Sequence, residues 1–153
     1  MRLATLLLAC GAAVSGAESA TVTVDFDRPG ARIPADFLGI SYEKNALVDP
    51  HFTPANTTLI NLHRNLGAGT LRLGGNKVEL TRWEAGATSA LDKSTGLAVI
   101  GRATLDDLYG FLKATGWQCL HGLNLAGNQP AASADEAAYA LKVGATSVLA
   151  FEV

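Results

Sequence analysis

Thr70-Leu-Arg-Leu-Gly-Gly-Asn-Lys77 is the stretch on which the fold turns. Leu71 and Leu73 alternate with Thr70 and Arg72, the two-residue period of a β-strand, and the run ends in the paired glycines Gly74-Gly75 and the polar Asn76-Lys77. Upstream, Thr53-Pro54 reads as an N-cap with proline at the first helical position. Leu59, Leu62 and Leu66 continue that helix and Gly67 closes it. Before it stands Phe37-Leu-Gly-Ile-Ser-Tyr42, a short apolar run, so the unit is strand, helix, glycine, strand.

The same grammar continues downstream. Thr104 reads as the cap of a second helix, with Asp106 and Asp107 in its first turn to suit the helix dipole. Leu105, Leu108, Phe111 and Leu112 supply its apolar face and Gly116 ends it. Cys119-Leu-His-Gly-Leu-Asn-Leu125 follows as a third strand. Ser133 with Glu136 reads as a capping box that opens a third helix, which Gly144 closes. Ser147-Val-Leu-Ala-Phe-Glu-Val153 is a fourth strand. Alternating strands and helices predict an α/β chain with a parallel sheet, either an open doubly wound sheet or part of a (β/α)8 barrel.

Composition narrows the function classes. The 153 residues are 48% hydrophobic and 17% charged, which excludes a disordered, solvating chain. A net charge of -2 without any basic block argues against a nucleic-acid partner. Met1-Arg2 followed by the apolar run Leu3 to Gly16, with small residues at Ser15 and Ala17, reads as a signal peptide over residues 1–17. The run is shorter than the about 20 apolar residues of a membrane span. The chain is therefore expected to be secreted or periplasmic. Leu7-Leu-Ala-Cys10 leaves lipid anchoring through Cys10 as a lesser alternative. Cys119 is then the one remaining thiol, expected to be a small buried hydrophobe. His51, His63 and His121 are scattered without metal-ligand spacing, so neither metal nor cofactor is expected.

Gly67-Ala-Gly-Thr-Leu-Arg72 begins like a dinucleotide fingerprint but lacks its third glycine and precedes a strand instead of following one. The informative polar residues stand at the C-terminal ends of strands: Glu43 after the first, Asn76 after the second, Asn124 after the third. In both candidate architectures ligands bind at that edge. Tyr42 and Trp83 have ring faces that suit a sugar, although core packing is the expected role of each. Glu152 lies inside a strand and reads as structural, and Asn56-Thr-Thr58 is a formal glycosylation sequon.

Phe37-Leu-Gly-Ile-Ser-Tyr-Glu43, Asp49-Pro-His-Phe52, Leu71-Arg-Leu-Gly-Gly-Asn-Lys77 and His121-Gly-Leu-Asn-Leu125 occur in that order. Together they resemble the N-terminal half of glycoside hydrolase family 79, the heparanase and β-glucuronidase-like retaining glycosidases. The resemblance runs from about Thr21 to the end of the chain. It implies the N-terminal half of a (β/α)8 barrel over residues 36–153, about four βα units ending at the fourth strand. Residues 18–35 would form one strand of a β-sandwich, Thr21 to Phe26, and a linker. It implies that Glu43, Asn76 and Asn124 bind the substrate, a carbohydrate carrying β-linked uronic acid. A retaining enzyme uses two carboxyl groups about 5–5.5 Å apart. The resemblance puts the acid/base in an Asn-Glu-Pro motif just past the fourth strand and the nucleophile later still. Both fall beyond Val153, so the 153 residues are expected to be a truncated, inactive part of the enzyme. A secreted, non-catalytic carbohydrate-binding domain is the alternative.

Overall fold

The computed structural model describes residues 19–153. The expected signal peptide and Cys10 lie outside the described residues. Residues 19–32 and Ile33–Val153 are separate units.

In the first unit, Thr21 to Phe26, expected as a sandwich strand, carries no strand pairing among the described residues. The alternation of Val22, Val24 and Phe26 is there, but all three side chains are exposed. A strand exists through a hydrogen-bonded neighbour, and no ladder among the described residues includes this segment. Local polar contacts shape the turn at its end, where Asp25 accepts from the Arg28 guanidinium at 2.7 Å.

The second unit is α/β. Its strands are β1 (Gly39–Glu43), β2 (Thr70–Gly74), β3 (Thr81–Trp83), β4 (Ala90–Leu91), β5 (Ala98–Ile100), β6 (Gln118–Gly122) and β7 (Val148–Glu152). Its helices are α1 (Thr57–Leu66), α2 (Arg102–Thr115) and α3 (Pro130–Gly144). The main sheet has the order β1-β2-β6-β7 with every pair parallel. Each helical crossover thus adds the next strand on the same side, with no reversal of order. The common doubly wound orders reverse within their first strands. Helix α1 packs on α2 and α2 on α3.

Leu71, Leu73 and Cys119 point from the sheet into a core filled by Leu105, Leu108, Phe111, Leu112 and Trp117, all essentially inaccessible. Burying one such leucine contributes about 1.5–3 kcal/mol, which is how α2 is held to the sheet. No helix among the described residues is long and apolar enough to cross a membrane.

Three helix starts differ from those the sequence predicts, each because a side chain found a better partner. Helix α1 begins at Thr57, where the Asn56 carboxamide accepts from Leu59 N at 3.1 Å, while Thr53 donates to Asp107 instead of capping. Its buried positions are Ile60 and His63; Leu62 and Leu66 are exposed. Helix α2 begins at Arg102, so Thr104 is its third residue, accepting from Gly101 N, and no acidic residue sits in the first turn. Asp106 instead accepts from the Tyr139 hydroxyl at 2.9 Å. Helix α3 begins at Pro130 and has no Ser133–Glu136 capping box. Ser133 donates to Asn124 O at 2.6 Å, and Glu136 is fully buried.

The segment between β2 and α2, for which the sequence predicts no element, folds into a small sheet of order β3-β5-β4. Its strands are two or three residues long, too short for alternation to be visible.

Candidate functional site

Gly74 and Gly75 each make room for a carboxylate at the C-terminal edge of the main sheet. A Cβ on Gly74 would lie 2.7 Å from Glu152 Oε2 and 3.0 Å from Arg72 Nη2. A Cβ on Gly75 would lie 2.6–2.7 Å from all three atoms of the Glu43 carboxylate, and its φ of +77° is itself a glycine conformation. The paired glycines seat Glu152 from β7 on one side and Glu43 from β1 on the other.

Arg72 sits between Leu71 and Leu73, so the pleat turns it to the sheet face away from the helices. There it grips Glu152 with two nitrogens: Nε donates to Oε2 at 2.7 Å and Nη2 donates to Oε1. A third donor, Nη1, reaches Ser41 Oγ at 3.1 Å. The Arg72 hydrogen bond, with its charge, holds the Glu152 carboxyl below its ordinary range. Both side chains are more than a third exposed, so solvent screens the pair and its worth to stability is small. Its consequence is geometric, since it ties three strands together across the floor of a cleft.

That cleft encloses about 450 Å³ and is lined by Arg72, Gly74, Gly75, Asn76, Glu79 and Glu152 among others. Glu43 stands at its rim, beside Gly75, where Oε2 accepts from Lys77 N at 2.7 Å. Of the three residues expected from sequence, the structure therefore brings Asn76 into the cleft and Glu43 to its edge.

Asn124, the third, does not line the cleft. It is fully buried, its amide nitrogen donates to Glu79 O at 2.9 Å and Thr81 O at 3.0 Å, and its oxygen accepts from Gly127 N at 2.6 Å. Both of its donors are consumed in stapling the loop after β2 to the end of β6, which leaves it a structural role. Trp83 is likewise core, with its indole N–H donating to Asp135 at 2.8 Å. Tyr42 packs edge-on to Phe52 at 5.1 Å. Asn56, the formal sequon residue, has its carboxamide engaged as the α1 cap and with His51 O.

Sequence reasoning missed Arg72, Glu79 and Glu152 as cleft residues. A charged side chain between two leucines of a strand was the available signal for Arg72. A second hollow of about 540 Å³ is lined by Leu47, Phe52, Ala87, Thr104 and Asp107. Of its two carboxylates, Asp107 accepts from the Thr53 hydroxyl at 3.1 Å and Asp49 lies 3.9 Å from His51 Nε2. Among the described residues no group of three His, Cys, Asp or Glu side chains converges to hold a metal ion.

Beneath the sheet edge, on the helix side, lies a charged cluster with no solvent access. Lys44 Nζ is 2.6 Å from Glu136 Oε1, off the angle of a directed hydrogen bond, and His121 Nε2 is 2.8 Å from the same oxygen. A carboxylate only accepts, so Nε2 carries the proton, and in the neutral ring Nδ1 accepts from the Tyr109 hydroxyl at 3.2 Å. Burial pushes the Lys44 pKa down against the pull of Glu136, and burial pushes His121 down as well. Burial alone would raise Glu136, but the His121 hydrogen bond and the Lys44 charge outweigh it and hold it low. Burial pushes the Cys119 thiol up to about 12, the inert state of a buried cysteine.

These directions predict acid sensitivity. His121 titrates below its ordinary 6.5 when folded, so the unfolded chain binds the proton first. Stability from this group is whole above that pH and falls as acid is added. Glu136, lowered from 4.5, acts in the same direction further down. A series of thermal melts from about pH 7 to about pH 4 is expected to show a continuous fall in Tm. A flat series would contradict the buried neutral imidazole.

Comparison of the chain with protein-family models and with curated proteins finds no match.

Proposed function

We propose that the cleft is part of the sugar-binding site of a retaining glycoside hydrolase acting on β-linked uronic acid glycosides. In this reading the four-stranded unit is the N-terminal half of a (β/α)8 barrel, the protein is secreted or periplasmic, and both catalytic carboxylates are supplied beyond Val153. The observation that carries the reading is the Glu43 carboxylate, seated on Gly75 and Lys77 N at the C-terminal edge of the sheet. An ionised carboxylate only accepts hydrogen bonds and makes strong ones, which suits the hydroxyls of a sugar ring. Asn76, between Gly75 and Lys77, adds both a donor and an acceptor.

The sequential parallel strand order supports the barrel, because a barrel winds in one direction and carries its ligand sites at this edge. Uronic acid as the sugar comes from the family resemblance, which is an argument by analogy. Glu152 is occupied by Arg72 and takes no catalytic part in this reading.

Calorimetric titration with methyl β-D-glucuronide and an assay on 4-nitrophenyl β-D-glucuronide test the reading together. Binding without hydrolysis is expected from residues 1–153. Hydrolysis is expected from a chain extended through its reading frame, with Gly-Asn-Glu-Pro directly after Val153. Unrelated sequence there, combined with binding by the 153 residues, would support the non-catalytic carbohydrate-binding domain instead. No binding of any glycoside would overturn both.

A further inference from the structure

Strand β1 carries Glu43 but has little to hold it in place. None of its five residues is fully buried, and among the described residues it pairs with β2 alone. Ile40 packs on the core only partly, and Tyr42 remains more than a third exposed. Within one residue the chain then passes from exposed Glu43 to Lys44, which has no solvent access at all. Lys44 is thus the first fully buried side chain after the strand. Its ammonium meets Glu136 of α3, and Glu136 is in turn fixed by His121 near the end of β6.

We propose that the Lys44–Glu136 pair is a positioning device for Glu43, a polar clamp that fixes where the end of β1 meets the cleft. Lys44 is a positioning residue that acts through the backbone on its neighbour, and the proposal rests on the reading of Glu43 as the sugar acceptor. An apolar side chain at residue 44 would find favourable contacts at several depths, because hydrophobic burial has no direction. An ammonium in a space without water has one good place, against its carboxylate, and buried polar pairs serve such registry roles elsewhere.

The groups facing Lys44 from the elements packed against it are Glu136 on α3, His121 and Cys119 on β6 and, through His121, Tyr109 on α2. The thiol and phenol are driven toward their uncharged forms by burial, and the imidazole is kept neutral. One cation therefore faces one anion. Among the described residues the far oxygen of Glu136 has no partner, so Lys44 and His121 together hold that carboxylate through Oε1.

The Lys77 amide reports where Glu43 is, since it donates to Glu43 Oε2. In the 15N-labelled chain its proton is expected to be shifted downfield by the charged acceptor, and to move upfield in Glu43→Gln. The test is Lys44→Met with Glu136→Leu, which removes the charges and keeps the volume. The proposal predicts a cooperatively melting chain in which the Lys77 amide has moved towards the position it takes in Glu43→Gln. Glu136→Gln, closer still in shape, is expected to move it the same way and serves if the double variant does not fold. A folded variant of either kind whose Lys77 amide stays at the parent position overturns the proposal. The readout needs no ligand, so failure to bind glycosides would count against the proposed function and leave this result standing.

Discussion

Glu136→Leu is expected to destabilise the fold by about 3–5 kcal/mol, the cost of leaving a buried charge without its partner. Lys44 would then be an ammonium with no solvent access and no anion, and His121 would lose the acceptor that fixes its tautomer. Adding Lys44→Met to the same chain is expected to return most of the loss. Apolar replacement of a whole buried pair is often neutral or stabilising, and only its half-removal is costly. Urea melts of the parent, the single and the double variant measure this directly. Equal losses in the single and double variants would show that the pair is not coupled as its 2.6 Å separation implies.

Gly75→Ala is expected to fail on two counts. The left-handed φ of +77° costs an L-residue about 1–2 kcal/mol. The new methyl would also stand 2.6–2.7 Å from the Glu43 carboxylate, which must move off Lys77 N to escape it. Losing a hydrogen bond to a charged group is worth about 1.5–3 kcal/mol, so affinity for methyl β-D-glucuronide is expected to fall by roughly tenfold to a hundredfold. Gly86→Ala is the control. Nothing lies within 4 Å of a Cβ there, and stability and binding are expected to stay unchanged. A Gly75→Ala chain that binds as the parent does would remove Glu43 from the account.

Much of the α/β order was legible in the sequence because its signals are local. The β2 run Thr70 to Gly74, the apolar spacing of Leu105, Leu108, Phe111 and Leu112, and Gly67 and Gly116 as helix stops all act within a few residues. Contacts across the chain are what the sequence concealed. Ser133 and Glu136 have the spacing of a capping box, but Glu136 meets Lys44 and His121, partners that only the sheet brings near. Leu62 and Leu66 look like a core face, yet His63 takes the buried place beside Phe111 and Trp117. Asn124 sits at a strand end as a binding residue would, and its amide is consumed by backbone forty or more residues away. Glu43 and Asn76 stand out in the chain by their positions at strand ends. Arg72 and Glu152 needed the fold, since eighty residues separate them.

The claim that joins these observations is that sugar binds at the Gly74-Gly75 edge under the control of Glu43. Titrating methyl β-D-glucuronide into the 15N-labelled chain and mapping the amide shifts tests it most directly. The account predicts saturable shifts concentrated at Gly74 to Lys77 and Gly122, weakened roughly tenfold or more in affinity by Glu43→Ala. Shifts confined to the hollow around Leu47, Phe52 and Thr104, or a response that Glu43→Ala leaves intact, would contradict it.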